Sequence, residues 1–158
     1  MNDRKPACPV AERGGALHRA FHGDNEEIRA TLRDFCDALA RLGVDAATIE
    51  NVELVLAEVL NNIIEHAYDG HGGAIEVEIQ FERNELTGLI FDDGRPMPGE
   101  ILPQAALPDI SGPRAAMPEG GFGWFLIRHL TSELDYSRRD GQNRVRFRLE
   151  RQQRPGMR

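Results

Sequence analysis

The hydrophobic period of this chain changes once, abruptly, between residues 45 and 82. Upstream, Leu54, Val55, Leu56, Val59, Leu60, Ile63, Ile64 and Ala67 form a broad stripe at helical spacing. Asp69-Gly70-His71-Gly72-Gly73 then stops the helix. Downstream, Ile75, Val77, Ile79 and Phe81 alternate with Glu76, Glu78 and Gln80, the period of a half-buried strand over 74–82. A helix and a strand that are each apolar on one side must cover one another, so the pattern predicts helices laid on one face of a sheet. Arg83-Asn84 supplies a tight turn into a second strand over 86–91.

The flanks extend this pattern. Ala16–His22 reads as a short strand with Leu17, Arg19 and Phe21 on one side. Asp24 or Asn25 caps a helix running to about Leu42, with Ile28, Leu32, Phe35, Leu39 and Leu42 as its buried stripe and Gly43 as its stop. Asp45 caps the long helix. Residues 97–119 are rich in Pro, Gly and Ala and carry at most a short helix near 100–106; a loop this long is functional or disordered. A helix over about 124–130 follows, then strands over 133–138 and 143–150 joined by Asp140-Gly141. The expected fold is α+β, a two-layer α/β sandwich with a mixed, mostly antiparallel sheet and helices on one face. Residues 1–15 and 151–158 read as flexible tails around a domain over 16–150. The Glu face of 76–80 and the Arg face of 144–148 fall on the open side, as a solvated surface or a docking surface.

Composition excludes several chemistries. Lys5 is the only lysine, so a P-loop and a protein-kinase fold are both excluded, since each needs a lysine on the phosphates. The net charge of −7 argues against non-specific nucleic-acid binding, although nine Arg stand against four acids from Arg128 onward. No apolar run approaches a membrane span and the N-terminus has no apolar signal core, so a cytoplasmic location away from membranes is expected. Cys8 and Cys36 fall in a tail and a helix, an arrangement unsuited to a structural disulfide or zinc site.

Three stretches carry candidate chemistry. Glu58, Asn62 and His66 are spaced by four, on nearly one face of the long helix. Glu58 and Asn62 lie at the edge of its apolar stripe, where an unpartnered polar group costs about 1–3 kcal/mol. An Asn amide oxygen suits Mg²⁺, and a Glu one turn earlier can take a proton from an attacking hydroxyl. Asp92-x-Gly94 ends a strand; its carboxylate can accept a hydrogen bond from an exocyclic amine and Gly94 lets a planar base lie against the backbone, or the pair is ordinary turn chemistry. Gly120-Gly121-x-Gly123 opens a helix, and glycines there present N–H groups to phosphates.

In order, E-x-x-x-N-x-x-x-H-A-Y, then D-x-G-x-P, then G-G-x-G resembles the N, G1 and G2 boxes of the histidine-kinase-like ATPases. The H-A-Y ending, the single compact domain and the late D-G-x-N-R look most like the anti-sigma-factor serine/threonine kinases of the RsbW and SpoIIAB type. The resemblance spans about residues 16–150. It implies ATP and Mg²⁺ as cofactors, with Asn62 holding the metal and Glu58 as catalytic base. It places Asp92 on the adenine amino group, Gly94 beneath the ring, Gly121 and Gly123 beside the phosphates, and 97–119 as a lid. His66 matches the motif either as a ligand contact or as a packed helix residue. Asn61 precedes Asn62, and the four-residue step from Glu58 selects Asn62. Ile63 stands where the family usually has Ala, and Trp124 where it usually has Leu.

The activity the resemblance implies is phosphorylation of a STAS-domain anti-sigma-factor antagonist. It further implies binding to a sigma factor or equivalent regulator, partner switching in transcription, and a homodimer. An ATP-binding sequestration module with little phosphotransfer is the alternative. The catalytic domain of a two-component histidine kinase ranks last, because no phosphoacceptor helix pair is present. The gyrase and chaperone branches need further domains.

Overall fold

A computed structural model describes residues 9–104 and 122–151. Six strands form one sheet: β1 (Ala11–Arg13), β2 (Ala16–His22), β3 (Ala74–Phe81), β4 (Glu85–Asp92), β5 (Glu133–Arg139) and β6 (Gln142–Glu150). Their order is β1-β2-β3-β4-β6-β5, and each of these pairings is antiparallel. Three helices, α1 (Asn25–Arg41), α2 (Ala46–Asn62) and α3 (Phe122–Leu130), cover one face. This is the α+β two-layer sandwich expected from the sequence, with no parallel pair among the described strands.

Local chemistry sets the helix ends. Asp24 caps α1 by accepting from the N–H groups of Glu26 and Glu27. Gly43 adopts φ +77 just past its end, a region that L residues avoid. Asp45 caps α2, accepting from the Thr48 N–H at 2.9 Å and from its hydroxyl at 2.7 Å. The core lies between the layers and includes Phe35, Leu39, Val52, Leu56, Leu60, Ile79, Ile90 and Phe147. Gly88 leaves room for the Phe147 ring, which a Cβ there would meet at 2.2 Å. Arg19, in phase with Leu17 and Phe21, is buried and ties β2 to α1 through Asp34 and Glu27.

Four details differ from the sequence reading. The fold begins before residue 16, because β1 pairs with β2 across Gly14 and Gly15. Arg151 does not belong to a tail: its N–H donates to Asn84 O, and its guanidinium reaches the carbonyls of Glu82, Arg83 and Gly43. A 3₁₀ turn at Pro98–Glu100 comes earlier than the short helix expected near 100–106. Finally, α3 starts at Phe122, which puts Gly123 inside the helix. Residues 1–8, 105–121 and 152–158, with most of the expected lid and Gly121, lie outside the described residues.

The open face carries Glu76, Glu78 and Gln80 on β3 and the three arginines of β6. Those arginines meet acids across the strands: Arg146 and Arg148 pair with Glu133, Arg148 also with Glu85, and Arg144 with Asp135. Among the described residues no helix is long and apolar enough to cross a membrane.

Candidate functional site

Glu58 and Asn62 lie one turn apart at the C-terminal end of α2. The Asn62 Nδ2 atom is buried with no hydrogen-bond partner. Such an atom costs about 1–3 kcal/mol, and a half-turn of the amide turns its oxygen to the same place. The first turn of α3 packs directly on this pair, anchored by buried Trp124 and Ile127. A Cβ on Gly123 would lie 2.5 Å from Glu58 Oε2 and 3.7 Å from Asn62 Nδ2. A side chain there would displace the end of Glu58, because the helix backbone runs against its carboxylate.

Beyond Asn62 the helix widens. Residues Ile63–Ala67 form a π-helical turn, with the Tyr68 N–H donating to Ile63 O and the Gly70 N–H to Ile64 O. Ile63 and Ile64 open this turn and both face the core, as Val55 with Leu56 and Val59 with Leu60 do in the regular helix before it. The wider turn breaks the four-residue spacing. His66 was expected on the face of Glu58 and Asn62, but its side chain is 68% exposed beside Glu65. The geometry brings together Glu58, Asn62 and Gly123, and leaves His66 outside that group.

The end of this helix holds the loop after β4. Tyr68, the last residue of the H-A-Y stretch, donates its hydroxyl to Ala74 O at 2.6 Å and accepts the Asp93 N–H at 2.9 Å. The Arg95 N–H donates to Ala67 O at 3.0 Å. A Cβ on Gly94 would meet both Ala67 Cβ and Ala67 O at 2.7 Å. The space a side chain would take at Gly94 is therefore filled by the helix end, a different reason for glycine from a base lying on it.

Asp92 closes the core face of β4, in phase with Leu86, Gly88 and Ile90, and is 3% exposed. Its Oδ1 accepts from the Gly94 N–H at 2.9 Å and from Asn143 Nδ2 at 2.8 Å. No described residue donates to Oδ2. Burial pushes the carboxyl above the usual aspartate range, and the bonds from Asn143 and Gly94 and the charge of Arg138 offset only part of that.

One helix thus carries the whole arrangement, with Glu58 and Asn62 against Gly123 at one end and Ala67 against the Asp92–Gly94 loop at the other. From Glu58 to Ala67 the run is about 13 Å at the helical rise. It offers a carboxylate, an amide and a close-packed helix N-terminus at one end, and a buried carboxylate with a spare oxygen at the other. Residues 21–149 match the histidine kinase-like ATPase domain. The chain belongs to that family. Among curated relatives, this ATPase domain is 28% identical over 102 residues to the serine-protein kinase RsbW of Halalkalibacterium halodurans, covering 64% of this chain and 62% of the relative. It is 29% identical over 102 residues to the RsbW proteins of Bacillus thuringiensis and Bacillus anthracis, covering 64% of each chain. The chain thus spans just under two thirds of the length of these relatives.

Sequence reasoning gave no role to Asn143, Arg138, Tyr136 or Tyr68. Asn143 carried a signal, because it is a polar residue in phase with Val145, Phe147 and Leu149. Arg138 and Tyr136 carried none, because β5 lacks a clean apolar alternation.

Proposed function

We propose that this ATPase domain binds ATP with Mg²⁺ along α2 and phosphorylates a serine or threonine of a STAS-domain anti-sigma-factor antagonist. On this reading it also holds a sigma factor or equivalent regulator, acts as a cytoplasmic homodimer, and exchanges partners to control transcription. The observation that carries the reading is the distribution of Glu58, Asn62 and Asp92 along one helix and its adjoining loop. An extended nucleoside triphosphate covers a comparable span. The relatives are serine-protein kinases, which supports the reaction class, and the motif resemblance supports the partners.

The residues fit the nucleotide and its metal. The buried, unpartnered Asn62 amide supplies an oxygen for a hydrated Mg²⁺, and bound Mg²⁺ supplies charge neutralisation to the phosphates. Gly123 stands beside the phosphates, a place the motif resemblance alone assigns to Gly121 as well, and the free Oδ2 of Asp92 accepts from the 6-amino group. Gly94 holds the Asp92 loop against Ala67, beneath the ring. Glu58 takes the proton of the attacking hydroxyl. His66, on the exposed side of the π turn, is reached only by the outer part of the ligand.

The test incubates the chain with labelled ATP and candidate STAS proteins, alongside Glu58→Gln and Asn62→Ala. Glu58→Gln should keep ATP affinity and lose about 10²–10⁴-fold in transfer. Asn62→Ala should lose Mg²⁺-dependent ATP binding. A wild-type protein that binds ATP and captures a partner without phosphorylating it establishes the sequestration module instead.

A further inference from the structure

Asp92, the carboxylate assigned to the adenine, is held by a polar network centred on Asn143, the Asn of the D-G-x-N-R stretch, to which the resemblance attached no role. Asn143 stands opposite Asp92 in the β4–β6 register and is equally buried, at 3% exposure. Its Nδ2 donates to Asp92 Oδ1 at 2.8 Å, to Arg95 O at 2.9 Å and to Gly94 O at 3.3 Å. Its Oδ1 accepts from Arg138 Nη1 at 2.6 Å and from the Tyr136 hydroxyl at 2.7 Å. The partners leave one orientation for the amide. Arginine only donates, and the two backbone carbonyls only accept, so a flipped amide would oppose like groups on both sides. Arg138 Nη1 also donates to Gly94 O at 3.0 Å, and the Tyr136 hydroxyl accepts the Met97 N–H at 3.1 Å. One amide therefore ties together the carboxylate, the loop that follows it and the backbone at residue 97.

The consequence falls on Asp92. With Asn143 Nδ2 and the Gly94 N–H both on Oδ1, the carboxylate cannot rotate without breaking two hydrogen bonds in a buried setting, where an unmade bond is expensive. Its other oxygen, Oδ2, remains as a pure acceptor. An acceptor fixed there pairs with an exocyclic amino donor and opposes a carbonyl at the same ring position.

Building on the nucleotide reading above, we infer that Asn143, braced by Arg138 and Tyr136, is a positioning residue that fixes Asp92 and so selects a 6-amino purine. Asn143 itself does not touch the base. Removing it frees the Asp92 carboxylate to turn, so selectivity for the amino group falls while contacts to ribose and phosphates stay.

Calorimetry on the full chain tests this with two probes, Mg·ATP and Mg·purine riboside triphosphate, which differ only at the 6-amino group. Wild type should favour ATP by roughly tenfold or more. Asn143→Ala should lose most of that preference with the analogue's affinity unchanged. Asn143→Thr, whose hydroxyl can donate to Asp92, should restore part of it. Equal weakening of both probes by Asn143→Ala would reduce the residue to a structural support and overturn the inference. If Asn143→Ala does not fold, Arg138→Met on the surface-accessible side of the network takes its place. A threefold or greater loss of preference supports the inference, and an unchanged preference overturns it. Wild type binding neither probe would remove the nucleotide reading itself. Wild type binding both equally would remove only the role of Asp92 and of the network behind it.

Discussion

Gly123→Ala separates what the close packing of α3 on α2 does for stability from what it does for chemistry. Alanine is favoured over glycine by about 1 kcal/mol in a helix interior, and Gly123 stands in the first turn, where the gain is smaller. For a domain of this size the full interior gain would raise Tm by roughly 2–4 °C, so the rise expected here lies below that. The added methyl would sit 2.5 Å from Glu58 Oε2. An ordinary contact needs about 3.5 Å, so the carboxylate must move by roughly 1 Å. It is the free end of a flexible side chain and yields cheaply, whereas the backbone on either side does not. Asn62 Nδ2, at 3.7 Å from the same point, has no need to move. A misplacement of 1 Å in a reacting group costs about 10²-fold. The expected variant is therefore as stable as wild type or slightly more so, binds Mg·ATP within a few-fold, and phosphorylates about 10²-fold more slowly. Thermal melts, calorimetry and a labelled-phosphate transfer assay read the three quantities separately. A wild-type transfer rate in a stabilised variant would refute the placement of Glu58 at the reacting centre. A variant destabilised by more than about 1 kcal/mol would show that the contact is with rigid structure rather than with the end of Glu58.

Two further predictions concern carboxylates whose folded-state pKa moves in opposite directions. Burial raises Asp92, with Arg138 and Asp93 as the facing charges and Asn143 and the Gly94 N–H as donors. Its contribution to folding is fully present below about 3.9, the unfolded value, and is lost as pH rises through the raised folded value. Nucleotide affinity runs the other way: calorimetry should show ATP binding weakening on acidification at a pH above 3.9, because a protonated Asp92 no longer accepts from the amine. Asp92→Asn should bind ATP roughly 10- to 150-fold more weakly, with that pH dependence gone; wild-type affinity in the folded mutant would exclude the contact. At Asp45 burial also raises the carboxyl, but the hydrogen bonds from Thr48 and the charge of Arg151 outweigh it and the net shift is downward. Its contribution is present above the unfolded value and disappears as pH falls through the folded one. Asp45→Ala should therefore cost about 1 kcal/mol in urea unfolding at neutral pH and less in acid; equal costs at both would argue against the cap.

Most of the fold was legible because one-faced elements announce themselves. The stripe Ile28, Phe35 and Leu39 and the alternations through Val77 and Phe147 each have one way to be buried, and the structure buries them that way. The helix caps were legible for the same local reason, since Asp24 and Asp45 bond N–H groups only three residues away or fewer. The π turn was not legible. Ile63 and Ile64 continue the stripe of Val59 and Leu60 in regular helical phase, and what accompanies the wider turn, the contact of Ala67 with the loop at Gly94, is tertiary and leaves no local pattern. His66, the one candidate placed by counting residues across that turn, stands exposed beside Glu65 instead of in line with Glu58 and Asn62.

The candidate site shows how a polar residue in core phase should be read. Arg19, Asp92 and Asn143 each interrupt an otherwise apolar alternation, and each is buried. A lone buried polar group is unfavourable, so each implies a partner from elsewhere in the chain. Arg19 finds acids on α1, a structural answer that leaves no capacity pointed at a ligand beyond its Nε. Asp92 and Asn143 find each other across the register, yet the pair is not closed. The amide is saturated by five partners, whereas one oxygen of the carboxylate has none among the described residues. The asymmetry is the informative part. A structural pair would satisfy both members, and this pair spends its hydrogen bonds on holding one acceptor still. The same logic applies to the Asn62 amide beside Gly123, whose Nδ2 is buried without a partner, so on the proposed nucleotide reading these two groups are the ones the ligand is expected to engage.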